Sequence, residues 1–121
     1  MKFLHVTLYV SNLEASLAFY RDIVGLELHR RITVAPGLEL AFLGEGEGGT
    51  EVELICDPHK EKPRLAGDVS IGFAAGCVDT LRARLLEQGM PGVGEMISVG
   101  PATKFFFVPD PDGMPVQFMQ S

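Results

Sequence analysis

Aliphatic residues fill every second position near the start of the chain, where Leu4, Val6, Leu8 and Val10 alternate with Phe3, His5, Thr7 and Tyr9. Period two over 3–10 predicts a strand with one face on a core and a wetter face carrying polar atoms. The period then changes. Leu13, Leu17, Tyr20 and Val24 recur at helical spacing behind Ser11, with Glu14 three residues on, the pattern of a capping box. Gly25 is the expected C-terminal stop. Three more strands are predicted over 26–34, 38–43 and 50–56, punctuated by Pro36-Gly37 and by the glycine-rich run 44–49.

Residues 57–65, with Pro58, Pro63 and mostly charged neighbours, form the one linker-like stretch, and after it the pattern restarts. Over 68–74, Val69, Ile71 and Phe73 alternate with Ser70 and Gly72. Asp79 is the expected N-cap of a helix carrying Leu81, Leu85 and Leu86 and ended by Gly89-Met90-Pro91. Strands are predicted over 95–99, 104–108 and 115–119, the last behind the tight turn Asp110-Pro111-Asp112-Gly113. The spacings repeat as well. Glu53 lies 28 positions after Gly25 and Gln117 lies 28 after Gly89, while His5 precedes Gly25 by 20 and Ser70 precedes Gly89 by 19. One β-α-β-β-β pattern is therefore written twice, in modules 1–57 and 66–121 joined by a linker over 58–65. Hairpin-linked strands after each helix predict an α+β domain and not a doubly wound parallel sheet.

Composition narrows the partners. At 121 residues, 46% hydrophobic and 21% charged, the chain has an ordinary globular make-up, and each half alone would bury too little surface to be stable by itself. A net charge of −6 and a pI near 4.9 argue against nucleic acid or an anionic membrane as partner. Arg30 and Arg31 are adjacent, so on a strand they point to opposite faces, which weakens any basic pocket. Cys56 and Cys77 match no metal or redox spacing and are expected to be buried thiols. His5 and Thr7 interrupt any signal-peptide core, and no segment reaches membrane-spanning length, so a cytoplasmic location is expected.

Strand parity isolates the candidate chemistry. Val52, Leu54 and Cys56 share the dry face of their strand, with Glu51, Glu53 and Ile55 opposite. His5, Ser70 and Gln117 fall on the corresponding faces of theirs. Imidazole and carboxylate meeting in a cleft suit zinc, nickel, iron or manganese. The competing reading of His5 is a hydrogen-bonded structural histidine, and that of Glu53 is an ion pair with Arg21 or Arg31, because an unpaired buried carboxylate is costly. Tyr9 is a pocket candidate, at most one or two of Phe105, Phe106 and Phe107 line the hollow, and His29 and His59 are expected at the surface.

The whole chain resembles the vicinal oxygen chelate superfamily, which includes glyoxalase I, bleomycin-resistance proteins and extradiol dioxygenases. The carrying residues are His5-Val6-Thr7-Leu8-Tyr9-Val10, the run from Leu13 through Phe19-Tyr20-Arg21-Asp22 to Gly25-Leu26, Glu53-Leu54, and Asp110-Pro111-Asp112-Gly113. The resemblance implies paired βαβββ modules whose curved mixed sheet encloses a cup, usually in a homodimer. It implies a small-molecule ligand or substrate and, in the metal-dependent members, His5 and Glu53 as metal ligands. The third and fourth ligand positions hold Ser70 and Gln117. Gln117 can still ligate through its carbonyl oxygen, but it cannot act as a base, and Ser70 is a poor ligand. These two residues argue against ordinary glyoxalase I and extradiol dioxygenase activity. The expected function is a divalent-metal-assisted lyase or isomerase, with Glu53 moving the proton and Thr7, Tyr9, Glu51 and Ser70 lining the ligand pocket. The alternative is a metal-free, ligand-sequestering protein of the drug-resistance kind.

Overall fold

The computed structural model describes residues 1–61 and 68–120. The chain divides into two compact units, Met1–Arg64 and Leu65–Ser121. The expected linker over 58–65 lies partly outside the described residues.

Unit one runs β1 (His5–Tyr9), α1 (Leu13–Ala18), a π-helical turn (Phe19–Ile23), β2 (Glu27–Ala35), β3 (Leu38–Gly44) and β4 (Glu51–Cys56). Its sheet has the order β1-β4-β3-β2, with β1 parallel to β4 and the other pairs antiparallel. Unit two repeats the plan with β5 (Ile71–Ala74), α2 (Val78–Glu87), β6 (Ile97–Val99), β7 (Thr103–Pro109) and β8 (Pro115–Gln120), in the order β5-β8-β7-β6. Each unit is thus a βαβββ module with a mixed four-stranded sheet, and the fold is α+β.

The alternation sorts side chains as period two demands. Leu8, Ala41, Leu43, Val52 and Leu54 are buried with Leu13, Leu17 and Tyr20 of the helical segment. In unit two, Val108, Val116 and Phe118 are buried with Val78 and Leu85 of α2. The aliphatic stripe of β1 is covered only at its C-terminal end: Val10 is 4% exposed, whereas Leu4 is 61% exposed.

Local chemistry departs from the sequence expectation at four places. The N-cap of α1 is Asn12 and not Ser11: Asn12 Oδ1 accepts from the Ala15 amide at 3.0 Å, while Glu14 turns to Arg31 at 2.6 Å. An amide side chain one residue nearer the helix satisfies the same orphan amides. The predicted single helix ends as α-helix at Ala18, and Val24 N–H bonds to the Phe19 carbonyl, five residues back. The wider turn rotates the face, so Phe19 joins Tyr20 in the core, their rings edge to face at 5.1 Å. At α2 the N-cap position is Cys77, one residue before Val78, and Asp79 stands inside the first turn, bonded to Lys104. The Val78 amide is instead capped by Gln120 Oε1 at 2.7 Å, from the last strand. Finally, the thiols are not both buried. Cys77 is exposed, its sulfur 3.2 Å from Thr80 Oγ1, and Cys56 is half-buried.

Candidate active site

On the side of the first sheet opposite the core, register sets two rows of side chains. In a parallel pair, residues directly opposite share a face, so the pairings His5 with Glu51 and Thr7 with Glu53 put all four side chains together. Across β4, Glu53 pairs with Phe42 of β3, and Phe42 pairs with Arg30 of β2. The row Thr7, Glu53, Phe42, Arg30 therefore crosses the whole sheet.

His5 Nε2 lies 3.5 Å from Glu53 Oε1. Thr7 Oγ1 donates to that same oxygen at 2.6 Å. The His5 ring stands edge-on to Phe42, with centroids 6.1 Å apart and planes at 78°. Glu53 is nearly buried at 9% exposure, so the threonine and histidine supply the company that a desolvated carboxylate needs. The ion-pair alternatives for Glu53 do not form: Arg21 is beside Asp22, and Arg31 points to the other face, onto Glu14 and Glu39.

The family model of the Glyoxalase/Bleomycin resistance protein/Dioxygenase superfamily matches residues 2–118. The chain belongs to that superfamily. Lactoylglutathione lyase of Neisseria meningitidis serogroup A is 36% identical, the match covering 99% of this chain and 91% of that protein. Lactoylglutathione lyase of Haemophilus influenzae is 32% identical, with coverage of 100% and 93%. The glyoxalase I structure from Leishmania major superposes with a TM-score of 0.83 at 24% identity, covering 98% of this chain and 86% of that one, a likeness of fold.

Within this glyoxalase-type module, one departure from strand regularity brings in residues that alternation misses. The β2–β3 register shifts between Leu28 and Arg30, so His29 is the extra residue of a β-bulge. Its Nδ1 sits 2.7 Å from Glu51 Oε2, and the ring packs over Gly44, where a Cβ would come within 2.9 Å of His29 Cε1. His29 is therefore no surface residue, and its Nε2 is shielded from solvent with no hydrogen-bond partner. Arg30 Nη2 reaches the other Glu51 oxygen at 3.4 Å, and its guanidinium carbon lies 3.9 Å from the Phe42 ring centroid. The Glu51 hydrogen bond raises the His29 pKa above its ordinary 6.5, outweighing the desolvation that lowers it. Chiefly through the same bond, the Glu51 pKa falls below its ordinary 4.5.

Tyr9 ends β1 with Lys60 Nζ 3.8 Å above its ring. In the second unit, Ser70 is exposed and precedes β5, which begins at Ile71 and not at the expected 68. Gln117 on β8 pairs with Gly72 and Phe107, the places that Thr7 and Phe42 hold beside Glu53 in the first unit. Its Oε1 lies 3.1 Å from where a Gly72 Cβ would stand, and it lines a groove of about 490 Å³ with Phe73, Met119 and Gln120. Of the three successive phenylalanines, Phe106 is core, while Phe105 and Phe107 stack edge to face at 5.9 Å.

The donor pair suits a divalent ion. Two ligands with bonds of about 2.1 Å stand roughly 3.0–3.4 Å apart on one metal, and the His5–Glu53 separation is close to that. Among the described residues, no group of three or more His, Cys, Asp or Glu is placed to hold an ion.

Proposed function

We propose that this protein binds a small organic molecule with adjacent oxygens at the face carrying His5 and Glu53, and acts on it as a divalent-metal-assisted lyase or isomerase of the glyoxalase type. The observation that carries this reading is the 3.5 Å approach of His5 Nε2 to a nearly buried Glu53 carboxylate. Relatives named lactoylglutathione lyase support the reaction class.

His5 and Glu53 would hold the ion (zinc, nickel, manganese or iron), and Gln117 is a proposed donor through its carbonyl oxygen. When bound, such an ion polarises the substrate's oxygens and stabilises the negative charge that develops on them. Glu53 is the group that moves a proton, because Gln117 cannot. Thr7 fixes which Glu53 oxygen faces His5, so the other oxygen can be presented to a substrate C–H. Tyr9, Glu51 and Ser70 belong to the proposed ligand pocket. The protein is proposed to be a cytoplasmic homodimer, a reading supported by the exposed Phe3, Leu4 and Val6 along edge strand β1.

A metal-free, ligand-sequestering role of the drug-resistance kind is the second reading, favoured by the neutral side chains at Ser70 and Gln117. Turnover separates the two. Metal-stripped protein reloaded with each of the four ions is assayed on lactoylglutathione and on a panel of 2-oxo and 2-hydroxy compounds. The enzyme reading expects turnover with at least one ion, reduced by about 10²–10⁴ in Glu53→Gln with ligand binding retained. Ligand binding without turnover under every ion would establish the sequestering role instead.

A further inference from the structure

We infer that Arg30 is a specificity-determining residue, which selects ligands carrying a carboxylate at the end remote from the His5–Glu53 pair. The inference rests on the proposed ligand site at this face. Three observations carry it.

First, Arg30 shares the row of Glu53 and Phe42, and the Phe42 ring links the two ends of the site: the His5 ring makes a T-shaped contact with it and the Arg30 guanidinium lies over it. Those two contacts, 6.1 and 3.9 Å from the Phe42 centroid, limit the distance from the guanidinium carbon to the imidazole centroid to about 10 Å. A molecule of five or six heavy atoms in line spans that gap.

Second, the charge of Arg30 is not neutralised where it sits. Glu51 is its one ion-pair partner among the described residues, at 3.4 Å, and His29 holds that carboxylate at 2.7 Å. The shorter contact engages Glu51 with His29 and leaves Arg30 the longer, weaker one. Arg30 keeps its charge, and most of its five donors remain open at a half-exposed side chain.

Third, Arg30 is open on its outer side, where it lines a groove of about 520 Å³ with His29, Glu51 and the glycine-rich loop before β4; His5, Glu53 and Phe42 do not line that groove. Its other charged residues are Lys2, Glu27 and Glu47, all exposed, where water screens them. A planar guanidinium backed by an aromatic face presents its donor edge in the geometry that a carboxylate accepts.

The probes are 2-oxoglutarate and its 5-methyl ester, which share vicinal oxygens and backbone length and differ in the charge of the distal group. Their affinities for the full-length protein are measured calorimetrically, with and without added Zn²⁺, for wild type, Arg30→Gln, Arg30→Lys and His5→Ala. Wild type should bind 2-oxoglutarate about tenfold more tightly than its 5-methyl ester, as one charge-assisted hydrogen bond requires. Arg30→Gln should bring the ratio to about one, by lowering the 2-oxoglutarate affinity. Arg30→Lys, which keeps the charge without the fork, should fall between and serves if the glutamine variant does not fold. A preference in wild type that is the same with and without Zn²⁺, survives in His5→Ala and is lost in Arg30→Gln would uphold Arg30 while counting against a metal-dependent ligand site. Equal affinity for the two probes in wild type, the same ratio in Arg30→Gln as in wild type, or binding of neither probe would overturn the inference.

Discussion

Thr7 and His5 converge on a single oxygen of Glu53, so the carboxylate is oriented before anything binds. A hydroxyl that fixes a metal-ligating carboxylate is a partner whose loss typically weakens metal binding by about 10–100-fold. Thr7→Val should produce that loss in a competition titration with a chelating dye, together with a lowered melting temperature from the carboxylate left short of a donor. An unchanged affinity would show that Thr7 does not orient the ligand. A second residue-scale consequence concerns His29 and Glu51. The raised His29 pKa stabilises the fold at pH below 6.5, and that stabilisation fades as pH rises through the folded value above 6.5. The lowered Glu51 pKa stabilises it above pH 4.5, and that stabilisation fades as pH falls through the folded value below 4.5. The pair is therefore strongest between the two. The drop in melting temperature caused by His29→Asn should be largest near about pH 5.5 and should shrink on the alkaline side. A pH-independent difference would contradict the pairing.

Elements deliver these side chains, and one of them does so by breaking its own pattern. The bulge in β2 turns His29 toward Glu51, and the missing side chain of Gly44 makes room for its ring. Gly44→Ala should cost about 1–3 kcal/mol by overpacking and should abolish the pH-dependent His29 effect, both read from thermal melts across pH. Asn12→Ala should cost about 1 kcal/mol in the same assay by uncapping α1. The βαβββ succession of elements in each module and the shared face of His5 and Glu53 were legible in the sequence, because alternation assigns faces and the repeated 28-residue spacing aligns the modules. A bulge adds a residue without any composition signal, so His29 was invisible as a site residue. Alternation misleads at Phe42: Leu38, Leu40 and Phe42 read as the core face against Glu39, yet Ala41 and Leu43 are the fully buried pair and Phe42 lies opposite Glu53. The caps escaped for a different reason. Ser11, Asn12, Cys77 and Asp79 all lie at the predicted helix starts, and the amide hydrogen bonds accepted by Gln120 and Asn12 decided among them.

At the scale of the molecule, two modules carry unequal chemistry on equivalent positions: Thr7 and Glu53 in one, Gly72 and Gln117 in the other. The unequal halves explain why family membership alone does not select among the reactions of the superfamily. The exposed apolar residues of β1 and the marginal size of a single module lead to a prediction of assembly. Light scattering after size exclusion should give twice the chain mass of 13.1 kDa, and a monomer would contradict it. No helix of the described residues is long and apolar enough to cross a membrane. The central claim, that His5 and Glu53 form a divalent-cation site, is tested most directly by elemental analysis of protein purified without a histidine tag. The account predicts about one equivalent of a divalent transition metal in wild type and almost none in His5→Ala. Wild-type protein that remains metal-free after incubation with zinc, nickel, manganese and iron, or His5→Ala that retains the full equivalent, would contradict it.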